Sequence, residues 1–398
     1  MNKQLNIAQR NAVLTSMIKI IEANKDALLA ANKTDLENYS GDDISMRDRL
    51  KVDASKIADM MRSLKELTNE ADPLNIERFN FTHENGVQVS NRTAPFGTIL
   101  IIYESRPDVT IEAAGIAFKS GNKILLKGGK ESLNSNLVLV DLWHKALQEN
   151  NCDTHWVSYL QFNRTQTQEF LEKPSEKLDL IVPRGGEQLI AFVKKHATCP
   201  VIVSGRGNNF VYVAAEADLQ MALDVIINAK TTKISACNAL DKVLIARDLP
   251  RKQEFLQQLT QELKKREVEI LTDSKLKGLD GTSEIEAESV WHEEFLDYKI
   301  VLGQVPDLNE AIAFINQYSG GHSAAIITQN NEVAANFMNN VDCAAVYHNA
   351  STRFTDGGQF GLGGELAIST DKLHQRGPIG LQHLVTNKWY VKGNGQTR

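Results

Sequence analysis

From Gly97 onward the chain repeats one pattern: a short apolar run, a loop, then an amphipathic stretch. The runs 98–103, 123–127, 156–160 and 178–182 have strand length, and the stretches 109–119, 131–148 and the one opening at Glu187 carry helical spacing. A strand that is apolar on both faces has to be covered on both faces, and strand–helix alternation does this with a parallel sheet between layers of helices. The pattern predicts an α/β fold. It breaks over 229–238 into a polar, small-residue stretch, then resumes with a strand at 242–246 and a helix over 252–266. Two Rossmann-like parallel-sheet domains are therefore expected, with a boundary at 228/229.

The flanks of this pattern differ from it. Leu14, Met17, Ile18 and Ile21 make one helical stripe near the N-terminus, and a second helix is expected over 57–67. Lys33, Asp35 and Glu37 read as a solvated segment between them. Between 79 and 92, Asn85-Gly86 separates two alternating runs, a hairpin signal of type I′ character. The last strand expected is 385–392.

Composition excludes several classes. With 398 residues, 42% of them hydrophobic and 24% charged, the chain can fill more than one core. Its 50 acidic against 44 basic residues give net −6, which argues against a nucleic-acid partner. No apolar run reaches the ~18–20 residues that span a bilayer, and residues 1–12 are too polar for a secretory leader. A cytoplasmic protein is expected. Four scattered cysteines and nine unclustered histidines make a metal site improbable.

Two loops between a strand and a helix combine glycines with a cation: Lys127-Gly128-Gly129-Lys130 and Pro183-Arg184-Gly185-Gly186. Each is either a phosphate cradle of backbone N–H groups or a tight turn whose basic residue faces water. Gly205-Arg206-Gly207 precedes a strand rather than a helix, so it is no dinucleotide fingerprint. Among the thiols, Cys343 lies in an apolar run and Cys199 precedes Pro200. Cys237, in the small-residue break, is the candidate nucleophile, provided a neighbouring cation or helix N-terminus favours its thiolate.

Several segments in register resemble one family. They are 102–107, 119–122, 127–131, 182–186, 237–239, 319–322 and above all 346–361, continuing through 368–370 and 374–378. Together the chain resembles γ-glutamyl phosphate reductases (glutamate-5-semialdehyde dehydrogenases), a branch of the aldehyde dehydrogenase superfamily. The resemblance implies a fold of aldehyde dehydrogenase type, organised as N-terminal helices and cofactor domain (1–228, with the 79–95 hairpin as an arm), catalytic domain (229–352) and returning C-terminal segment (353–398). It implies NADPH-dependent reduction of L-glutamyl 5-phosphate to glutamate 5-semialdehyde through a thioester, a step of proline biosynthesis. Cys237 and Asn238 would be catalytic. Lys127, Gly128, Gly129, Pro183, Arg184, Gly185, Gly186 and Glu294 would bind cofactor, and Arg106, Asn349 and Arg353 substrate. A homo-oligomer, with the hairpin and terminal strand as its oligomerisation element, and functional coupling to glutamate 5-kinase are further implications.

The chain departs from the family pattern at Asp108, within 204–210, at Ser235-Ala236 and at Asp241. These positions motivate one alternative, a catalytically impaired paralogue; another is an acylating, CoA-dependent aldehyde dehydrogenase. No glutamate occupies 200–204, where hydrolytic relatives in the superfamily place a water-activating base.

Overall fold

The computed structural model describes residues 4–42, 44–203 and 205–398, and it divides into two compact units. The first is Met1–Val203 with Gly361–Ala367 and Pro378–Arg398; the second is Ser204–Phe360 with Ile368–Gly377. The division falls at 203/204, ahead of the expected 228/229. The reason is the strand Asn209–Val213, which pairs in parallel with Leu240–Ala246 and Ser323–Ile327 and so belongs with the second sheet. Ser204 itself lies outside the described residues.

In the first unit, four parallel strands run in the order Val157–Tyr159, Lys123–Lys127, Thr98–Tyr103, Leu180–Arg184. The period of two along Thr98–Tyr103 sorts its side chains between two cores. Ile99, Ile101 and Tyr103 pack with the helices Ile7–Ala23, Ala54–Asn69, Glu112–Lys119 and Leu133–Glu149, while Leu100 and Ile102 join Phe170, Leu171 and Val193 on the opposite face. Pro183, which has no N–H to donate, is tolerated because its strand is an edge strand. The segment 200–203 contributes a single bridge to this sheet, Ile181 to Val201.

Two flanking features differ from expectation. Lys33, Asp35 and Glu37 lie in the helix Lys25–Asn38, and although Lys33 and Glu37 are exposed, Asp35 is buried. Its carboxylate accepts from the backbone N–H and side chain of Asn134 (3.0 and 2.8 Å) and of Ser135 (2.8 and 2.6 Å), satisfying the amides that open the helix Leu133–Glu149. The hairpin of Glu77–Thr82 and Gln88–Pro95 turns through His83–Gly86, with Gly86 N–H donating to His83 O at 2.8 Å and His83 N–H to Val87 O at 2.8 Å. Only Gly86 has positive φ, at 86°, so the turn is a type I turn closed by a glycine bulge rather than type I′. Val385–Lys392 pairs with Gln88–Pro95 to complete a three-stranded antiparallel sheet.

In the second unit, seven parallel strands run in the order Ser283–Glu284, Glu269–Thr272, Lys299–Val305, Leu240–Ala246, Asn209–Val213, Ser323–Ile327, Ala345–His348. The central strands are buried along their whole length. Four helices, Leu219–Thr231, Lys252–Lys264, Leu308–Tyr318 and Asn331–Asn340, contribute to this core.

Candidate active site

Parallel pairing brings the carboxyl ends of three strands together in the first unit: Ile102 is opposite Lys127 and Pro183, and Tyr103 is opposite Arg184. The loops that leave these ends are Glu104-Ser105-Arg106, Gly128-Gly129 and Gly185-Gly186. Lys127 Nζ donates to Gly128 O at 2.8 Å, and burial lowers the pKa of its ammonium against the pull of Glu131. Glu104 accepts from Gly186 N–H at 2.9 Å, tying two of the loops together. A Cβ at Gly128 would collide with the Asn136 amide, and one at Gly185 with the Glu104 carboxylate. The missing side chains leave room for the Asn136 amide and the Glu104 carboxylate to lie against these loops. Arg106 and Arg184 both act on Glu112, whose carboxyl is pushed up to about 7 by burial, then by Asp108. Five residues form an ionic and glycine-rich edge where ligands bind in open α/β sheets: Lys127, Gly128, Gly185, Arg184 and Arg106.

The second unit gathers its chemistry at the opposite, amino edge of its sheet. Cys237 and Asn238 precede the strand Leu240–Ala246. The Cys237 carbonyl accepts from Asn209 Nδ2 at 2.8 Å, and that same amide reaches Gly207 O (2.7 Å) and Ala239 O (2.6 Å). Any Cβ at Gly207 would strike the Cys237 backbone. Asn208 Nδ2 meanwhile holds Trp291 O at 2.6 Å and Tyr318 O at 2.8 Å. The sequence marked 204–210 only as a departure from the family pattern and assigned these three residues no role. Their signal was two adjacent amides opening an otherwise apolar strand, a place where buried side chains must hydrogen-bond something.

Arg353 reaches this edge by a path the sequence does not suggest. It follows Ala345–His348, whose carboxyl end would carry it away from Cys237, yet the chain doubles back along the strand. Thr355 Oγ1 consequently meets Ser323 Oγ at 2.7 Å, on the first residue of its strand, and Tyr347 Oη at 2.6 Å. Asn238 Nδ2 donates to Arg353 O (3.2 Å) and Thr355 O (2.9 Å), and Thr352 Oγ1 donates to Asn238 O at 2.8 Å. Both amide protons of Asn238 are thereby engaged in latching the 352–355 turn. Arg353 Nε and Nη1 are buried without a hydrogen-bond partner. Burial lowers the pKa of this guanidinium, and Cys237 and then Asp356 raise it, so thiol and guanidinium are within electrostatic reach of each other. The other thiols are shifted the opposite way from a nucleophile. Burial raises Cys152 and Cys199, and pushes Cys343 up to about 11.

Glu294 lies just before the strand Lys299–Val305, in a segment whose Phe295 N–H is held by Asp241 at 3.0 Å, so it shares the amino edge with Cys237. Asn349 stands apart. Its side chain accepts from Thr328 N–H (3.0 Å) and donates to Thr328 O (2.9 Å), fixing a strand end at φ 54°. His322 is fully buried, and burial depresses its imidazole to about 4, so it is neutral at physiological pH.

With its two parallel α/β units, the chain belongs to the aldehyde dehydrogenase family, whose profile matches residues 2–277 and 287–389. Within that family it is one of the γ-glutamyl phosphate reductases. It is 40% identical over 393 residues to the γ-glutamyl phosphate reductase of Clostridium botulinum, covering 98% of this chain and 94% of the relative. The crystal structure of γ-glutamyl phosphate reductase from Thermotoga maritima matches with a TM-score of 0.93 at 38% identity, over 99% of this chain and 95% of that one. An acetylating aldehyde dehydrogenase from Geobacillus thermoglucosidasius has the same fold, with a TM-score of 0.71 at 15% identity over 99% and 93% of the two chains.

Proposed function

We propose that this chain reduces L-glutamyl 5-phosphate to L-glutamate 5-semialdehyde and phosphate, with Cys237 as nucleophile. The observation that carries the reading is the Arg353 guanidinium, half-buried, with two unpartnered N–H donors and within electrostatic reach of the Cys237 thiol. Charge attraction is mutual, so the cation that the thiol stabilises in turn favours the thiolate. The same donors suit an acyl phosphate or carboxylate, which an arginine fork binds through parallel N–H···O bonds.

Cys237 Sγ attacks the γ-carbonyl carbon, a C–S bond forms, and the C–O bond to phosphate breaks as phosphate leaves with the electron pair. The chain-bound product is a thioester. Reduction gives a thiohemiacetal, and its collapse expels the aldehyde and restores the thiolate. Because phosphate leaves without help from water, no water-activating carboxylate is needed. Asn238 contributes by position, since both its donors hold the turn that carries Arg353.

Membership of the aldehyde dehydrogenase family brings a nicotinamide cofactor, which supplies the hydride when bound. The residues of the first unit's carboxyl edge fit such a group. At Gly186 the nearest atom to a would-be Cβ is the Glu104 carboxylate at 4.0 Å, which leaves a backbone cradle open to a ligand, and Lys127 offers a half-buried cation for a phosphate. We assign NADPH on that cation, Gly129, Pro183 and Gly186 to the same cradle, and Glu294 to the nicotinamide ribose. Arg106 is the second anionic-substrate residue, and Asn349 positions the strand end behind Arg353.

A thiolate enzyme suits a reducing, cytoplasmic setting, and among the described residues no helix is long and apolar enough to cross a membrane. The substrate's acyl phosphate has to be supplied by a kinase acting on a γ-carboxylate. For the assembly, the three-stranded sheet supports a homo-oligomer: Phe79, Phe81, Trp389 and Val391 share one face and are about half exposed or more.

Phosphate-dependent reduction of NADP by glutamate 5-semialdehyde, followed at the nicotinamide absorbance, tests the reading. Turnover that needs CoA instead of phosphate would replace it with the acylating alternative, and no turnover with either would mark an impaired paralogue.

A further inference from the structure

Directly after the nucleophile, the strand Leu240–Ala246 opens with a buried charge cluster that the chemistry above does not use. Lys230, Asp241 and Lys242 are all buried. Lys230 Nζ pairs with Asp241 Oδ1 at 3.0 Å, so the single carboxylate is already matched by one ammonium. Lys242 is the surplus cation. Its Nζ donates to Glu293 O at 2.7 Å and lies 3.7 Å from the centroid of the Phe295 ring. Asp241 Oδ2, for its part, accepts from Phe295 N–H at 3.0 Å. Three contacts from two consecutive residues therefore grip the backbone and ring on either side of Glu294.

A buried ammonium without its own carboxylate is costly, and an apolar side chain of similar length would fill the space without that cost. What the ammonium adds is direction, through one hydrogen bond to a carbonyl and one cation–π contact, which together fix a segment that has no regular secondary structure between residues 293 and 298. That segment is gripped from the strand that follows Cys237, so its register is set against the nucleophile.

We propose that Lys242, with Asp241, is a positioning residue for cofactor affinity: it holds the 293–295 segment so that Glu294 stands where the nicotinamide ribose is bound. The proposal rests on the assignment of Glu294 to that ribose. It carries a pH dependence. Burial lowers Lys242 to about 7, opposed by Asp241 on its own strand and by Glu293 and Glu294 on the gripped segment, while Lys230 from the helix Leu219–Thr231 adds to the lowering. Lys299 Nζ faces the same Phe295 ring from 5.5 Å. Below about pH 7 the ammonium is charged and the cation–π contact is present; above it the amine keeps only the hydrogen bond, and the grip loosens.

The test is NADPH affinity, measured by the fluorescence of the bound cofactor from pH 6 to 9, on the wild type, Lys242→Met and Glu294→Gln. The expected result is a roughly 10-fold higher Kd for Lys242→Met at pH 6.5, with kcat at saturating NADPH falling far less. The variant should also lose the part of the wild-type pH dependence centred near 7. If Glu294→Gln weakens binding and Lys242→Met does not, Lys242 only fills space and the proposal is overturned alone. If Glu294→Gln binds like wild type, the ribose assignment fails and takes the proposal with it. Should Lys242→Met not fold, the wild-type series decides: an affinity that does not weaken between pH 6 and 8 overturns it.

Discussion

At the scale of single residues, what separates Cys237 from the other three cysteines is its neighbour. Burial raises Cys152, Cys199 and Cys343, at Cys343 in spite of the Arg376 guanidinium, whereas Cys237 lies within electrostatic reach of a guanidinium that has buried, unpartnered donors. Cys237→Ser should fold normally yet lose reductase turnover by several orders of magnitude, because a serine hydroxyl is barely ionised at neutral pH; steady-state kinetics beside a circular dichroism spectrum check it. Arg353→Ala should move the pH at which iodoacetamide labels Cys237 upward by about one unit, the low end of the range for an opposite charge within a few ångströms. Arg353→Lys keeps the charge but not the fork, and should lower kcat/KM by about 10-fold or more with little change in Tm. A large drop in Tm with unchanged kinetics would assign Arg353 to the scaffold instead.

At the scale of elements, the carboxyl edge of the four-stranded sheet carries two separable properties. The first is the cofactor discrimination proposed for Lys127. Lys127→Ala should raise the KM for NADPH much more than that for NADH, since only the former carries a 2′-phosphate; equal effects would show that Lys127 reads some other part of the cofactor. The second is a stability cost. Glu112 opens the helix Glu112–Lys119 with its carboxyl raised to about 7. Between the ordinary carboxylate pKa and 7 the folded chain therefore keeps a proton that the unfolded chain releases, so stability falls as pH rises through that window. The cost is on the order of 3 kcal/mol at full effect. Glu112→Gln should remove it, raising Tm at pH 8 and changing it little at pH 4.5, as calorimetry at the two pH values would register. A Tm gain equal at both would mean that Glu112 is ionised throughout.

At the scale of the whole molecule, the antiparallel sheet has one polar and one aromatic face. The Phe79 and Trp389 rings meet edge-on at 5.6 Å over Asn91, while on the other face Arg92 and Lys388 lie over Tyr390. An exposed aromatic face on a sheet with an unpaired edge strand invites association. The double variant Phe81→Glu, Trp389→Glu should shift the mass seen by light scattering toward the monomer; an unchanged mass would place the subunit contact elsewhere.

How much of this was legible depends on whether the deciding interaction is local. Strand and helix periods are local, so Thr98–Tyr103, Lys123–Lys127 and Val385–Lys392 follow from the residues alone, as do the α/β class and the parallel sheets. The ordered motifs likewise identified the γ-glutamyl phosphate reductase family, because the side chains that carry a chemistry are written in the chain. Tertiary structure decided whatever depends on a distant partner. Asp35 resembles a solvated acid until a helix N-terminus some hundred residues later draws it into the core. The Asn85-Gly86 pair fits two turn types, and the backbone chose the one with a single positive φ. The unit boundary moved to 203/204 because strand pairing, not composition, assigns Asn209–Val213. The sequence by itself named Cys237 as a thiol that could react. Only the folding back of the 349–355 segment brought a half-buried cation to it, because electrostatic reach is set by distance in space and not along the chain.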